Sequence, residues 1–218
     1  MQQKWIEMET TIDTVNWKGE PIKVENVKAF KDPQTGEILV YPSDVSKAEI
    51  KQISNELGIH PRDVATLLML CVKPGNFTEG EVFFKYHLQK MIFYLWESTR
   101  EVYLDSLTID KIISAENGPV PENLNADLKR LEDCEIITIK SGVWEDEFGK
   151  EHTSKRILLT SKGKQIADEI CKRLPEPFSQ TALKVKQVIY PMNPTAVRHM
   201  VHKQFPEYKD TYVKNDIE

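Results

Sequence analysis

The sequence predicts an α+β fold, mainly α, and three observations carry that prediction. Apolar residues recur at i, i+3, i+4 spacing through most of the chain after residue 43. Two short β-type runs, 135–140 and 154–159, stand between helical patterns. Glycine and proline punctuation at Gly58, Pro74-Gly75 and Gly118-Pro119 cuts the chain into short elements.

Taken in order, residues 1–42 read as irregular or short-stranded. The runs 27–30 and 37–41 flank Asp32-Pro33 and Gly36, which predicts a hairpin. The hairpin has the look of a zinc ribbon that lacks its cysteines. A helix follows to Leu57, capped by Ser43 or Ser46, with Ala48, Ile50, Ile53 and Leu57 inward and Gly58 as its left-handed close. Pro61 then opens a second helix over 62–72. Helix, glycine, turn, helix is helix-turn-helix order, but Leu67-Leu68-Met69-Leu70 leaves little polar face for reading DNA. A buried helical pair is the better reading. The break at 73–76 predicts a division into a small N-terminal region, 1–75, and a larger domain, 76–218.

The larger domain predicts a central helix over 80–96, with Phe83, Phe84, His87, Leu88, Met91, Ile92 and Leu95 as its apolar stripe. His87 in that stripe reads as a hydrogen-bonded core histidine. Residues 115–121 form a tight turn in which Pro121 presets entry to a helix over 122–133. Leu124, Leu128 and Leu131 line the inner face of that helix. Then come a strand at 135–140, a polar excursion, a strand at 154–159 and a helix over 161–174 capped by Thr160 or Ser161. Pro191 and Pro194 break the chain before a last helix over 195–204. Helix, strand, wing loop, strand, helix is the order of a winged helix-turn-helix domain, here with extra C-terminal helices.

Composition narrows the class. Of 218 residues 40% are hydrophobic, enough for a buried core. No apolar run approaches the ~20 residues needed to span a bilayer, and the N-terminus carries no signal core. Cys71, Cys134 and Cys171 lie far apart and read as buried reduced thiols. The expectation is a cytoplasmic protein without a membrane partner. The net charge of −5 offers nucleic acid no general attraction. Residues 79–159 carry a net −6, whereas 160–203 carry +5.

Short motifs support a resemblance. Residues 88–94 (Leu-Gln-Lys-Met-Ile-Phe-Tyr), Asn117-Gly118-Pro119-Val120, Leu159-Thr160-Ser161-Lys162-Gly163 and Phe205-Pro206-Glu207-Tyr208 resemble an uncharacterised prokaryotic winged-helix family, the YwgA-like type. The chain is also similar to SocA-like Panacea antitoxin domains, in which a like helix precedes a Gly-Pro-Val turn. The resemblance covers about 84–210 and brings no catalytic residue with it.

On this reading the helix over 122–133 enters a major groove of double-stranded DNA. Asn123 and Asn125 would read adenine, Lys129 and Arg130 would reach guanine or phosphate, and Lys150, His152, Lys155 and Arg156 would be wing contacts. Glu122, Asp127, Glu132, Asp133 and Glu145-Asp146-Glu147 oppose it, since carboxylates repel phosphate. Lys162, Lys164, Lys172, Arg173, Lys184, Lys186, Arg198, His199, His202 and Lys203 form the basic stretch, which suits phosphate, a homodimer partner or plain solvation. His199 and His202 share a helix face but lack the further ligands of a closed metal site. None of the common nucleophile, phosphate-loop, dinucleotide or zinc-protease motifs occurs. The expectation is therefore a DNA-binding or transcriptional-regulator-like protein, not an enzyme, without cofactor or metal. The alternative is an antitoxin-like or adaptor module that grips a protein through the acidic 122–147 face.

Overall fold

The structure, a computed structural model, describes residues 5–16, 19–73, 81–82, 85–103, 111–115, 118–145 and 149–208. It is mixed α and β, with seven α-helices and small antiparallel sheets among the described residues.

The N-terminal part is more regular than its sequence suggests. β1 (Ile6–Val15), β2 (Pro21–Lys31) and β3 (Ile38–Val40) form one sheet in that order. The expected hairpin is β2–β3, with Lys31 opposite Ile38 and Gly36 at φ 74°. β1 was not anticipated. Its polar Glu7, Glu9 and Asp13 dilute the apolar signal, although it pairs with β2 as an antiparallel hairpin neighbour. One face of this sheet packs on α1 (Pro42–Leu57) through a small core of Val24, Val27 and Ala48.

Helix ends follow local chemistry, with corrections. Pro42, not a serine, starts α1; its N-cap Tyr41 makes no side-chain cap bond. Gly58 closes α1 at φ 68°, and Ile59 N–H bonds back to Ser54 O, the six-to-one bond of a Schellman close. Pro61 lies in the turn, one step before the N-cap Arg62 of α2 (Asp63–Cys71). Residues 63–70 of α2 are all buried, so this helix presents no face to a groove.

α3 (Lys85–Tyr103) starts later than its stripe predicts; Phe83 and Phe84 lie outside the described residues. Before it, β4 (Glu81–Val82) adds to a sheet. Residues around the Gly-Pro-Val turn form a small hairpin of β5 (Ile112–Ala115) and β6 (Gly118–Pro121). Pro121 thus ends a strand instead of opening a helix, and α4 (Leu124–Asp133) begins three residues later. β7 (Ile137–Glu145) and β8 (Glu151–Leu159) pair antiparallel and reach well past the predicted strand ends, so much of the predicted wing loop is ladder. β8 lies centrally in the order β4-β8-β7. α5 (Ser161–Arg173), α6 (Glu176–Ile189) and α7 (Pro194–Gln204) complete the chain, with a 3-10 turn over Pro206–Tyr208.

The main core joins α2 to the later elements. Leu67, Leu68, Leu70, Leu88, Met91, Leu95, Leu128, Leu131, Ile157, Ile170, Phe178 and Val201 belong to one apolar cluster. α2, placed with the N-terminal region by sequence, packs on α3, α5 and α6. At the far end Phe93 is buried between Phe205, 4.9 Å away by ring centroids, and Tyr208, at 5.3 Å, both edge-on. No helix among the described residues is long and apolar enough to cross a membrane.

Candidate functional site

The helix and hairpin singled out by sequence lie next to each other. The turn between them is set by backbone geometry. Glu135 sits at φ 57°, and Ile136 N–H bonds back to Leu131 O at 2.9 Å, closing α4 as Gly58 closes α1. Glu132 Oε1 then accepts from Ile139 N–H at 3.0 Å, tying the last turn of α4 to β7.

The helical positions split sharply. Asn125 and Lys129 are exposed, together with Glu122, Glu132 and Asp133. Asn123 is the N-cap residue of α4, half-buried, and makes no side-chain cap bond. Arg130 faces the other way, toward α2. It forms an ion pair with Asp63, and its Nη2 donates to Asp127 Oδ1 at 2.8 Å. Arg62 closes the group by donating to Asp127 at 3.1 Å. Two arginines and two aspartates therefore form a partly buried four-membered network between the start of α2 and α4. Burial pushes the Asp63 carboxyl above the usual range, against the pull of Arg130. The direct contact with Arg130 still favours the ionised pair, since each charge would otherwise be stranded out of water.

The hairpin gathers cations. Lys140 stands directly opposite Arg156, and Lys155 opposite Ser141. Lys150 and Lys155 are exposed, and His152 and Arg156 are half-buried. Burial, and then the nearby Lys155, push Lys85 at the start of α3 below the usual lysine range. Of the acidic run 145–147, Asp146 and Glu147 lie outside the described residues.

The basic C-terminal stretch is not one surface. Lys186 is buried; its ammonium donates to Met69 O and Val72 O at 2.8 Å each and to Leu70 O at 3.3 Å. It satisfies the open carbonyls at the end of α2, where the helix dipole is negative. Arg173 pairs with Glu56 at 2.7 Å and Lys172 with Glu169 at 2.8 Å. Lys162 bonds to Cys134 O at 2.9 Å. Sequence gave no means of separating these lysines from solvated ones, because their acceptors lie on other elements.

Two buried polar groups and one glycine explain the motifs. Lys90 Nζ is fully buried and donates to Pro119 O at 2.8 Å, so the 88–94 helix and the Gly-Pro-Val turn are one unit. Gly118 adopts φ 89°, and a Cβ there would meet Val201 at 3.3 Å and the Lys90 ammonium at 3.4 Å. His87 Nε2 lies 2.7 Å from Met192 O; burial holds its pKa down, against that bond. Among the described residues, no group of three or more His, Cys, Asp or Glu is placed to hold a metal ion.

These units coincide with a family boundary. Residues 88–206 match the family Antitoxin SocA-like, Panacea domain. The chain belongs to that family. No curated protein and no solved structure matches it. The resemblance to the YwgA-like type gains no support from these matches. The Panacea domain begins inside α3 and ends at Pro206, next to the Phe205 ring that packs on Phe93. Asp63, Met69 and Val72 precede it, so the Arg130 and Lys186 contacts fasten an additional N-terminal segment to the domain.

Proposed function

We propose that this chain is an antitoxin-like interaction module whose partner is a protein. The observation that carries the reading is the Panacea match over 88–206, which spans the Lys90–Pro119 unit and the whole of α4 and the hairpin. On this reading α4, β7, β8 and α5 make a winged helix whose outward face docks the partner. That face carries Glu122, Glu132 and Asp133 against Lys129, while Arg130 is turned inward to Asp63 and Asp127. Its complement is a basic protein surface, and charge at its rim governs encounter more than residence. The chain acts without catalysis.

The test is co-expression with the product of the neighbouring gene, followed by purification of the pair. Relief of growth arrest and a complex weakened by Glu122→Lys with Asp133→Lys are expected. Full rescue and unchanged affinity in that charge-reversed variant would move the partner surface elsewhere. No complex and no rescue would overturn the antitoxin reading.

A second reading, double-stranded DNA binding, has one observation in its favour. The hairpin sets Lys140 opposite Arg156 on one face and carries Lys155 on the other, with Lys85 close by. In this reading Asn123, Asn125 and Lys129 face the groove and Lys150, His152, Lys155 and Arg156 hold the backbone. Binding to random duplex at low salt, lost on Lys155→Glu with Arg156→Glu, is its signature. No shift at low salt excludes it.

A further inference from the structure

Cys71 is the last residue of α2, and Cys171 lies in the last turn of α5. A hundred residues of chain separate them, yet their sulfur atoms lie 2.8 Å apart. Both are reduced and only partly buried, so a small oxidant reaches them. Asp168, one turn earlier on α5, has Oδ1 3.7 Å from the Cys71 sulfur and accepts a hydrogen bond from it. From the structure we infer that Cys71 and Cys171 are an oxidisable dithiol, which a peroxide converts to a disulfide locking the N-terminal segment onto the Panacea domain.

The surroundings divide the labour. The contact with Cys71, against the cost of burial and the Asp168 charge and with help from the Lys186 ammonium, holds the Cys171 thiol below its usual range. Cys71 is pushed up, first by that same contact and then by burial. Cys171 is thus the thiolate that attacks. Having released its proton to solvent, it displaces hydroxide from hydrogen peroxide by breaking the O–O bond and becomes a sulfenic acid, and the hydroxide takes up that released proton and leaves as water. The peroxide is reduced by two electrons. Cys71 then gives its proton to Asp168 and attacks the Cys171 sulfur. The S–O bond breaks, and the departing hydroxide leaves as water with the proton from Asp168. Overall two thiols and one peroxide yield one disulfide and two waters.

The position of the bond gives it a consequence. The α2 terminus is held by the Lys186 ammonium, which donates to Met69 O, Leu70 O and Val72 O, and by apolar packing. A covalent tie at Cys71 closes a loop of about 100 residues and restricts the unfolded chain. It joins a segment outside the family match to one inside it. Cys134, exposed at the end of α4, is the internal control for undirected oxidation.

The full-length chain is titrated with hydrogen peroxide and then denatured with a maleimide label. Free thiols are expected to fall from three to one, with a tryptic peptide joining Cys71 to Cys171. Tm is expected to rise by about 10 °C and to return on reduction. Cys71→Ser should instead leave Cys171 over-oxidised to the sulfinic acid, with no rise in Tm. Loss of Cys134 first, a disulfide through Cys134, or three labelled thiols after saturating peroxide would each overturn the assignment. Peptide mapping of the unsubstituted protein decides the matter even if a cysteine variant fails to fold. Its outcome is independent of whether the partner is a toxin.

Discussion

Lys90 and Lys186 are both fully buried, away from the water that usually solvates an ammonium. Each uses backbone carbonyls instead. Burial, and then Arg198, lower the Lys90 pKa to about 7 from 10.5. The sign follows from linkage. Below pH 7 both folded and unfolded chains carry the proton, and the cost of burying it is present in full. Between about 7 and 10.5 the unfolded chain keeps the proton while the folded chain has lost it, so stability rises with pH. Urea unfolding of the natural chain should therefore gain a few kcal/mol between pH 7 and pH 10 relative to Lys90→Met. Parallel profiles for the two proteins would show that the ammonium is not desolvated. Lys186→Met should cost about 3 kcal/mol at neutral pH, because three carbonyls lose their donor in the core. A calorimetric Tm within a degree of the natural chain would refute the capping role.

At the scale of elements, the exit from the hairpin into α5 is the most tightly specified place in the fold. Thr160 caps α5 by accepting from Gly163 N–H at 3.0 Å, and its hydroxyl donates to Glu135 O at 2.7 Å. Gly163 is needed for contact, not for backbone freedom: a Cβ there would lie 2.0 Å from Ile136 O. That carbonyl also accepts the Thr160 amide at 3.1 Å. The Leu-Thr-Ser-Lys-Gly motif is thus a joint at which a helix start presses on a strand start. Gly163→Ala should destabilise by about 3 kcal/mol or more, whereas the exposed Lys164→Ala should stay within about 0.5. Equal thermal melts for the two variants would contradict this account.

For the whole molecule the question is what holds the N-terminal segment to the Panacea domain. Three devices converge on α2: the shared apolar core, the Lys186 cap at its end, and the arginine–aspartate network at its start. Removing one member of that network strands the rest. Arg130→Ala takes the arginine from the buried Asp63 carboxylate while Asp127 keeps Arg62, and should cost about 3 kcal/mol. A double-mutant cycle of Arg130→Gln with Asp63→Asn should show coupling above about 1 kcal/mol. Additive effects in denaturant unfolding would mean that the pair is ornamental. The same network bears on function, since an arginine neutralised by two carboxylates contributes little to a phosphate contact.

What the sequence determined by itself was local. Periodicity placed the helical stripes of α1, α4 and α5, and short-range chemistry placed Gly58 as a C-cap and narrowed the N-cap of α5 to Thr160 or Ser161, of which Thr160 is the one. His87 was legible as a core histidine because it sits in an apolar stripe. Strand β1, the cysteine pair and the true roles of Arg130, Lys90 and Lys186 were not legible. Apart from β1, which pairs with its sequence neighbour β2, each depends on a partner between 29 and 117 residues away: Lys90 on Pro119, Arg130 on Asp63, Cys71 on Cys171, Lys186 on Met69. A lysine reads the same in sequence whether its ammonium meets water or a buried carbonyl. Caps and stripes are decided by residues within a turn or two, which sequence displays. Ion pairs, buried donors and sulfur contacts are decided by which elements pack together, and only the tertiary structure makes that choice.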